Sequence, residues 1–272
     1  MKKMILVLML ILTANLFGST AIDWGYPFDI QGHRGARGLK PENSMVAFEE
    51  ALEIGVTTIE LDLAVTADRV VVVYHDTTLI PTRVRKDGTF ISEPILIKDL
   101  TYEELVQYDI GSIKSADVWP RQLQLEGIRI PTLNEVLLLV KEHNEKSENE
   151  VFLNIEIKAS PLAPDDTVPL EEFVDLVIET VREASMEGWV SIQSFFWTAL
   201  RKIRDIAPEI PTVALVSSSN LIDSAWTDGL SMIRFGFDIA RMASEIGARI
   251  LSPADTFVSQ SLIERARAYG LQ

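Results

Sequence analysis

The segment TIELDLAVTADRVVVVYHD, residues 58–76, indicates how this chain folds. Residues 58–65 alternate apolar with acidic or small side chains, and residues 70–74 form a wholly apolar run, so each is a predicted strand. The two residues between them, Ala67-Asp68, are too few for a parallel crossover, which needs about a dozen. We therefore predict an antiparallel hairpin.

This hairpin brings acidic residues and a histidine together. Glu60 and Asp62 are two positions apart, and alternate residues of a strand face the same side of the sheet. A two-residue turn would pair Thr66 with Arg69 and, counting back, would place His75 opposite Glu60. The hairpin thus predicts two carboxylates and an imidazole at one place, the alternative being a plain hairpin with a polar end.

Strands and helices alternate along most of the chain. Before the hairpin, residues 28–31 are a predicted strand, and residues 42–54 have the apolar spacing of a helix that ends at Gly55. Beyond residue 130 we predict helix 132–141, loop 142–150, strand 151–158, helix 170–184, strand 189–194, helix 197–206, strand 212–216, interrupted helix 222–246, strand 249–251 and helix 259–269. This alternation favours a parallel sheet with helical crossovers, either open or closed. Seven strands are predicted, whereas a closed barrel of this kind has about eight.

The segment from Thr77 to Ile130 departs from this alternation. It has few long periodic stretches, and three prolines, Pro81, Pro94 and Pro120, interrupt it. We interpret residues 77–130 as an excursion inserted after the strand that ends in His75-Asp76.

Polar residues gather where predicted strands end. Carboxyl ends of parallel strands are where barrel enzymes hold their active sites. A charged residue inside an apolar strand, such as Glu156, costs several kcal/mol if it is buried without a partner, so a shared site is the economical explanation. Hard oxygen ligands, an arginine and two imidazoles together predict a metal-dependent phosphodiesterase. The residues at these strand ends are His33, Arg34, Glu60, Asp62, Glu156, Lys158, Gln193 and Ser194.

The first 21 residues have the layout of a secretory signal peptide. Lys2 and Lys3 precede an apolar run, residues 4–12, and small residues follow at 18–21, so cleavage after Ala21 is expected. The alternative is an uncleaved anchor, but the apolar run is short for a span of about 20 residues. We expect an exported protein, periplasmic or extracellular, with no stable membrane span after cleavage.

Charge and cysteine content exclude several classes of protein. The formal charge is −15, and it becomes −17 without residues 1–21, which hold two lysines and no acids. Such a surface repels nucleic acid and anionic lipid headgroups, so neither is an expected partner. The chain has no cysteine, which rules out disulfides and a lipid-anchored lipoprotein.

The ordered set of motifs resembles the glycerophosphodiester phosphodiesterase family. The resemblance implies a TIM (β/α)8-type barrel over residues 22–272, with residues 77–130 as the family's insertion over the substrate pocket. The family's last strand should follow Gly270, so it is expected to be missing from this chain. The matching runs are His33-Arg34-Gly35, Pro41-Glu42-Asn43-Ser44, Ala47-Phe48, Glu60-Leu61-Asp62, Thr66-Ala67-Asp68, Val71-Val72-Val73-Tyr74-His75-Asp76, Ile130-Pro131-Thr132-Leu133-Asn134-Glu135-Val136-Leu137, Glu156-Ile157-Lys158 and Ser194-Phe195.

The resemblance also implies a role for each candidate residue. One divalent cation, Ca²⁺ or Mg²⁺, would be held by three carboxylates, Glu60, Asp62 and Glu156. The general acid and the general base would be His33 and His75, with either assignment open.

Four further residues would support this centre. Arg34 and Lys158 would bind phosphate oxygens, although Lys158 could instead pair with the carboxylates. Glu42 and Asn43 would be outer ligands or hydrogen-bond partners, unless they cap the helix that follows. Gln193 and Trp119 are weaker candidates for the pocket.

The implied activity is hydrolysis of a small glycerophosphodiester to glycerol 3-phosphate and an alcohol, by attack of water or of a neighbouring substrate hydroxyl. Two alternatives remain at this point. One is a phosphodiesterase of the same barrel group that acts on lysophospholipid, sphingomyelin or phosphoinositide. The other is a non-catalytic exported protein that binds a cation or a phosphate ligand.

Overall fold

A computed structural model of the protein describes residues 28–115 and 118–272. The predicted signal peptide, residues 1–21, lies outside the described residues. Within the described residues the main sheet has seven strands. They are β1 (Gln31–His33), β2 (Thr58–Val65), β3 (Val71–Val73), β8 (Phe152–Ile157), β9 (Val190–Ser194), β10 (Thr212–Val216) and β11 (Ile250–Pro253). Six of them are parallel in the order β1-β2-β8-β9-β10-β11, and β3 pairs with β2 in the antiparallel sense.

Helices connect the parallel strands and cover the sheet. Apolar residues such as Phe48, Leu133 and Phe173 pack from them onto the strands and form the main core. The fold is therefore an α/β barrel type, and no strand of the described residues joins β11 to β1. None of the helices in residues 28–115 and 118–272 is long and apolar enough to cross a membrane. The helices are α1 (Met45–Ile54), α2 (Tyr102–Leu105), α3 (Leu133–Lys146), α4 (Leu170–Glu183), α5 (Trp197–Ile206), α6 (Ser218–Ile222), α7 (Ile239–Glu245) and α8 (Gln260–Ala268).

The predicted hairpin is present, but its predicted register is wrong by one residue. The ladder places Thr66 opposite Val70, where the amide of Thr66 donates to the carbonyl of Val70 at 3.1 Å. The turn has three residues and closes with Arg69 at φ 67°. A two-residue turn generally needs positive φ at both central positions, which glycine adopts easily. The predicted central residues, Ala67 and Asp68, include no glycine. His75 therefore does not pair with Glu60, and it follows the end of the β3 ladder.

Other element predictions also differ from the structure. The predicted strand 28–31 ends where β1 begins, since β1 runs from Gln31 to His33. The predicted helix 222–246 contains one helix, α7 at Ile239–Glu245, and α6 ends at Ile222 where the prediction begins. Positive φ at Asp228 (55°) and Phe237 (62°) turns the chain between them out of helical geometry. The predicted loop 142–150 is partly helical, since α3 continues to Lys146. The start of α3 was predicted correctly, because its Thr132 cap and Glu135 form a reciprocal capping box.

Residues 77–130 contain short strands rather than irregular chain. An apolar cluster that includes Leu79, Ile97, Leu105 and Ile130 packs this segment against the β2–β3 hairpin. The bounds predicted for the insertion, residues 77–130, and for the barrel domain, residues 22–272, stay predictions. Its short strands pair as β4 (Thr78–Leu79) with β7 (Ile95–Leu96) and β5 (Arg85–Lys86) with β6 (Thr89–Phe90).

Candidate active site

A sharp turn after β1 positions the first group of polar residues. Arg34 and Gly35 both have positive φ, 55° and 72°, and the backbone amide of Arg34 donates to Glu60 Oε2 at 2.8 Å. A Cβ on Gly35 would lie 2.7 Å from the backbone oxygen of Ala47. Only glycine fits this close approach, so glycine at position 35 is a geometric requirement of the turn.

Three carboxylates meet at the centre of the site. Glu60 and Asp62 lie on one face of β2, and Glu156 lies on the neighbouring strand β8, where the register pairs it with Asp62. One oxygen from each carboxylate lies within 4.8 Å of the other two, and all three residues are buried. The spacing of two residues thus places both acids of β2 as the sequence predicts.

Hydrogen bonds orient Glu60 and Asp62, but one oxygen of Asp62 has no hydrogen-bond partner. Glu60 accepts from Gln193 Nε2 at 2.8 Å, besides the amide of Arg34. Asp62 Oδ2 accepts from Asn43 Nδ2 at 2.9 Å and lies 3.2 Å from Arg34 Nε. Asp62 Oδ1 is buried without a hydrogen-bond donor. A buried carboxylate oxygen without a donor, in a group of three carboxylates, is suited to bind a cation.

The pKa values of the two glutamates also indicate a cation site. Burial and the charge of Asp62 raise the pKa of Glu60 well above its usual value. Burial raises the pKa of Glu156 to about 7, although the ammonium of Lys158 opposes the shift. When all three carboxylates are ionised, their basic partners within the described residues are Lys158 and Arg34, and Arg34 also pairs with Glu42. The donor set and its charge therefore fit one divalent cation.

The two histidines lie beside different carboxylates. Nε2 of His33 is 3.7 Å from Glu60 Oε2, and about half of the His33 side chain is exposed. Burial and the positive charges of Arg37 and Arg34 lower the pKa of His33 to about 4, so its imidazole is neutral at pH 7.

The second imidazole is held at both nitrogens. Nε2 of His75 is 3.1 Å from the ammonium of Lys158, and Nδ1 is 3.0 Å from Asp76 Oδ1. Because a lysine ammonium can only donate, Nε2 is the acceptor and the proton of the neutral ring lies on Nδ1, facing Asp76. Asp76 thus orients His75.

Arginines surround Glu42 on the other side of the centre. Glu42 Oε1 accepts from Arg34 Nη1 at 2.8 Å and from Arg83 Nη1 at 2.5 Å. Ser44 caps α1, where its side chain accepts from a backbone amide. Glu42 and Asn43 therefore do not cap the helix. Glu42 fixes Arg34, and Asn43 fixes Asp62.

The sequence profile of the glycerophosphoryl diester phosphodiesterase family matches residues 33–272, which include every group described above. The chain belongs to this family. The predicted family membership is thereby confirmed, together with the predicted α/β barrel fold.

Individual family members are similar over most of the chain. A Bacillus subtilis protein, YhdW, is 34% identical over 186 residues, which are 68% of this chain and 65% of its own length. A glycerophosphodiester phosphodiesterase of Caldanaerobacter subterraneus is 32% identical over 200 residues, or 74% and 70% of the two chains. The chain thus spans about two thirds of the length of these curated relatives. A solved family structure from Silicibacter pomeroyi superposes with a TM-score of 0.79 at 29% identity and covers 90% of this chain and 82% of that one.

Several residues of this family site were not predicted from the sequence. Arg83 belongs to the 77–130 segment, and no local spacing connects it to Glu42. Asn154 donates to Gln193 Oε1 at 2.9 Å and so supports the amide that holds Glu60. Its position two before Glu156 on the same strand was a usable indication. Gln193, predicted as a weak candidate, lies directly on a carboxylate.

A cavity of about 320 Å³ opens beside the histidine that Lys158 holds. Its lining includes His75, Lys158, Phe195 and Trp226. The lining residues come from the segments that follow β3, β8, β9 and β10 along the chain, at the carboxyl ends of these strands. A small polar molecule of several heavy atoms fits such a volume.

Proposed function

We propose that this chain is a metal-dependent phosphodiesterase that hydrolyses small glycerophosphodiesters to glycerol 3-phosphate and an alcohol. The observation that carries the proposal is the buried set of Glu60, Asp62 and Glu156, with one bare oxygen, between His33 and His75. The names of the curated relatives support the substrate class.

Glu60, Asp62 and Glu156 would hold one Ca²⁺ or Mg²⁺, since both cations prefer oxygen ligands. When bound, the cation supplies Lewis-acid stabilisation of charge on the phosphoryl oxygens. Asn43 and Gln193 orient the carboxylates by occupying their outward lone pairs, so the remaining oxygens face the centre.

Two cations of the protein flank the same position. Arg34 is held by Glu42, and Lys158 by Glu156, and each lies near a different oxygen of Asp62. Neighbouring carboxylates raise the pKa of Lys158 despite its burial, so it is an ammonium at pH 7. Both groups would bind the non-bridging oxygens of the phosphodiester and stabilise the charge that develops there.

The environments of the two imidazoles favour different roles. His33 is neutral at pH 7, so it would accept, as general base, the proton of the attacking water or of the attacking substrate hydroxyl. Asp76 orients His75, which would act as general acid toward the leaving alcohol oxygen. This role requires a proton on Nε2, so the ammonium of Lys158, which contacts Nε2 in the structure, would have to move onto the phosphoryl oxygens when the diester binds.

The test is hydrolysis of glycerophosphocholine by the protein with Ca²⁺ or Mg²⁺. We expect metal-dependent release of glycerol phosphate, lost in His33→Ala and in Glu60→Gln and retained in His143→Ala, which alters a histidine outside the site. Calorimetry adds a readout independent of turnover, because Glu60→Gln should weaken cation binding and His33→Ala should not. Cation binding without turnover of any diester would instead support the non-catalytic binding protein.

One observation favours a second candidate, a phosphodiesterase that acts on lysophospholipids. Leu162 and Ile222 lie in segments that line the cavity mouth, and 67% and 86% of their surfaces are exposed. Where such side chains form a continuous apolar surface, that surface is suited to contact with lipid. Turnover of lysophosphatidylcholine micelles without turnover of glycerophosphocholine would favour this candidate.

We also propose that the protein is exported, to a periplasm or to the exterior of the cell. The proposal rests on the charged start, the apolar run and the small residues within positions 1–21. N-terminal sequencing of the protein purified from its own cells tests it. A mature chain that begins at Ile22 supports export, and a chain that retains Met1 contradicts it.

A further inference from the structure

The cavity beside His75 holds an acidic side chain that has no basic partner. Asp166 follows β8 along the chain, is half-buried and lines the same cavity as His75 and Lys158. The ion pairs of the cavity, which join Lys158 to Glu156 and His75 to Asp76, leave Asp166 out. Within residues 28–115 and 118–272 no lysine, arginine or histidine lies at ion-pair distance from its carboxylate. A positive charge from outside the protein could therefore pair with it.

An unpaired acid alone carries little weight in a chain with 40 acidic residues, so the walls of the cavity decide what it binds. Two half-buried aromatic side chains, Phe195 and Trp226, line it. Among the described residues no lysine or arginine stacks on either ring, whereas other rings have such a partner, as Trp119 has Arg37 Cζ at 4.5 Å from its centroid. Trp119 does not line the cavity. The two cavity rings are thus free to contact a cation of a ligand.

The position of Trp226 is fixed by the residues that follow Phe195. The carbonyl of Trp226 accepts from the amide of Trp197 at 2.8 Å, and the side chain of Trp197 is fully buried. The ring of Trp226 meets Phe196 edge to face, with centroids 6.3 Å apart. This wall of the cavity is therefore in place before any ligand arrives, which lowers the entropic cost of binding.

The roles of the histidines assign one substituent of the diester to this cavity. His75, the proposed general acid, lines the cavity and protonates the oxygen of the leaving alcohol. The rest of that alcohol therefore extends into the cavity, while the phosphoryl group stays at the carboxylate centre. Lys158 moves onto the phosphoryl oxygens when the diester binds, so its charge lies at the phosphate and not at the far end of the alcohol. A volume of about 320 Å³ holds an amino alcohol.

We propose that Asp166 and Trp226, with Phe195, form a subsite that binds a positively charged group on the leaving alcohol, with a quaternary ammonium as the best match. This inference rests on the proposed function, because it assumes a diester at the carboxylate centre. A quaternary ammonium has no N–H to donate, so aromatic faces and a nearby carboxylate suit it. The net charge of −15 also attracts a cationic substituent toward the protein.

Glycerophosphocholine and its carbon isostere provide the test, because in the isostere an uncharged tert-butyl group of the same shape replaces the trimethylammonium group. We compare kcat/KM for both substrates in the wild type, Asp166→Asn, Trp226→Leu and Trp226→Phe. The wild type should prefer the charged substrate about tenfold, and Asp166→Asn and Trp226→Leu should each lower this preference about fivefold. Trp226→Phe keeps an aromatic face and should retain most of the preference.

The control for charge is Asp165→Asn, which makes the same change at the preceding position, an exposed residue outside the cavity lining. It should leave the preference for the charged substrate unchanged. In Asp166→Asn the loss should come through a higher KM for glycerophosphocholine, because the contact is made equally in the ground state and in the transition state. No preference in the wild type, an equal loss for both substrates in Asp166→Asn or Trp226→Leu, or the same loss of preference in Asp165→Asn overturns the proposal.

Failure of the proposed function would look different, because neither substrate would then be hydrolysed. Calorimetric titration of the Ca²⁺-loaded protein with each of the two diesters then replaces the kinetic comparison. Tighter binding of glycerophosphocholine than of the isostere to the wild type, with the difference lost in Asp166→Asn, supports the subsite. Equal binding of the two diesters, a difference that persists in Asp166→Asn, or no binding of either diester overturns it.

Discussion

The ammonium nitrogen of Lys158 lies 3.1 Å from Nε2 of His75 and 2.9 Å from Glu156 Oε1. It also lies 3.7 Å from Asp62 Oδ1, the oxygen without a hydrogen-bond donor. Lys158 thus contacts the proposed general acid and two proposed metal ligands at once. Because like charges repel, its ammonium should weaken cation binding while it strengthens phosphate binding.

Replacement of Lys158 by methionine should therefore change the two properties in opposite directions. We expect kcat/KM to fall by roughly 100-fold or more, since a preorganised charge on the phosphoryl group is lost. We expect Ca²⁺ to bind several-fold more tightly. Calorimetry and initial rates measure the two effects, with Lys114→Met, an exposed lysine, as control. Weaker Ca²⁺ binding in Lys158→Met would contradict this charge balance.

The raised pKa of Glu156 couples the stability of the metal-free protein to pH. The usual value of this carboxyl group is 4.5, and burial raises its pKa to about 7 in the folded chain. Between these values the folded state keeps a proton that the unfolded state has lost. The contribution to stability is thus fully present below pH 4.5 and is lost as the pH rises through about 7.

With a chelator present, the thermal unfolding midpoint should therefore decrease as the pH is raised from about 5 to about 8. Saturating Ca²⁺ should raise the midpoint more at the higher pH, because the carboxylate is then already ionised. Glu156→Gln should show a smaller fall, since it lacks the titrating group. The same pH profile in this variant and in the wild type would assign the effect to other acids.

The parts of the site that follow local periodicity could be predicted from the sequence. Glu60 and Asp62 share a face because side chains alternate along any strand, and Glu156 meets them because parallel strands end at the same edge. The capping box at Thr132 was also predictable, as it depends on residues three apart. These features need no knowledge of distant contacts.

The parts that depend on distant or unusual backbone geometry could not be predicted in this way. Arg83 reaches Glu42 across 41 positions through the packing of the 77–130 segment. The hairpin register depended on positive φ at Arg69, a conformation that arginine rarely adopts. The chain between α6 and α7 left the helical path at Asp228 and Phe237, two further non-glycine residues with positive φ.

Glu42 should act through Arg34. Its carboxylate accepts from both Arg34 and Arg83, so Glu42→Gln leaves two guanidinium groups to share one neutral oxygen. We expect Arg34 to lose its fixed orientation and kcat/KM to fall by roughly tenfold. The control is Glu50→Gln, which alters a carboxylate of α1 whose partner is Lys40 at 3.5 Å. Equal rates in the two variants would show that Glu42 has no positioning role.

Replacement of Gly35 by alanine should destabilise the protein, whereas replacement of Gly38 by alanine should not. At Gly35 a Cβ would lie 2.7 Å from the backbone oxygen of Ala47, and φ is 72°, so Gly35→Ala combines a clash with backbone strain. We expect the free energy of unfolding to fall by roughly 1–3 kcal/mol. At Gly38 no heavy atom lies within 4 Å of the same added carbon, so Gly38→Ala should be close to neutral. Urea denaturation measures the stability of both variants.

The same turn fixes the amide of Arg34 to Glu60, so Gly35→Ala should also weaken Ca²⁺ binding. Unchanged stability and unchanged Ca²⁺ affinity in Gly35→Ala would show that the turn can relax.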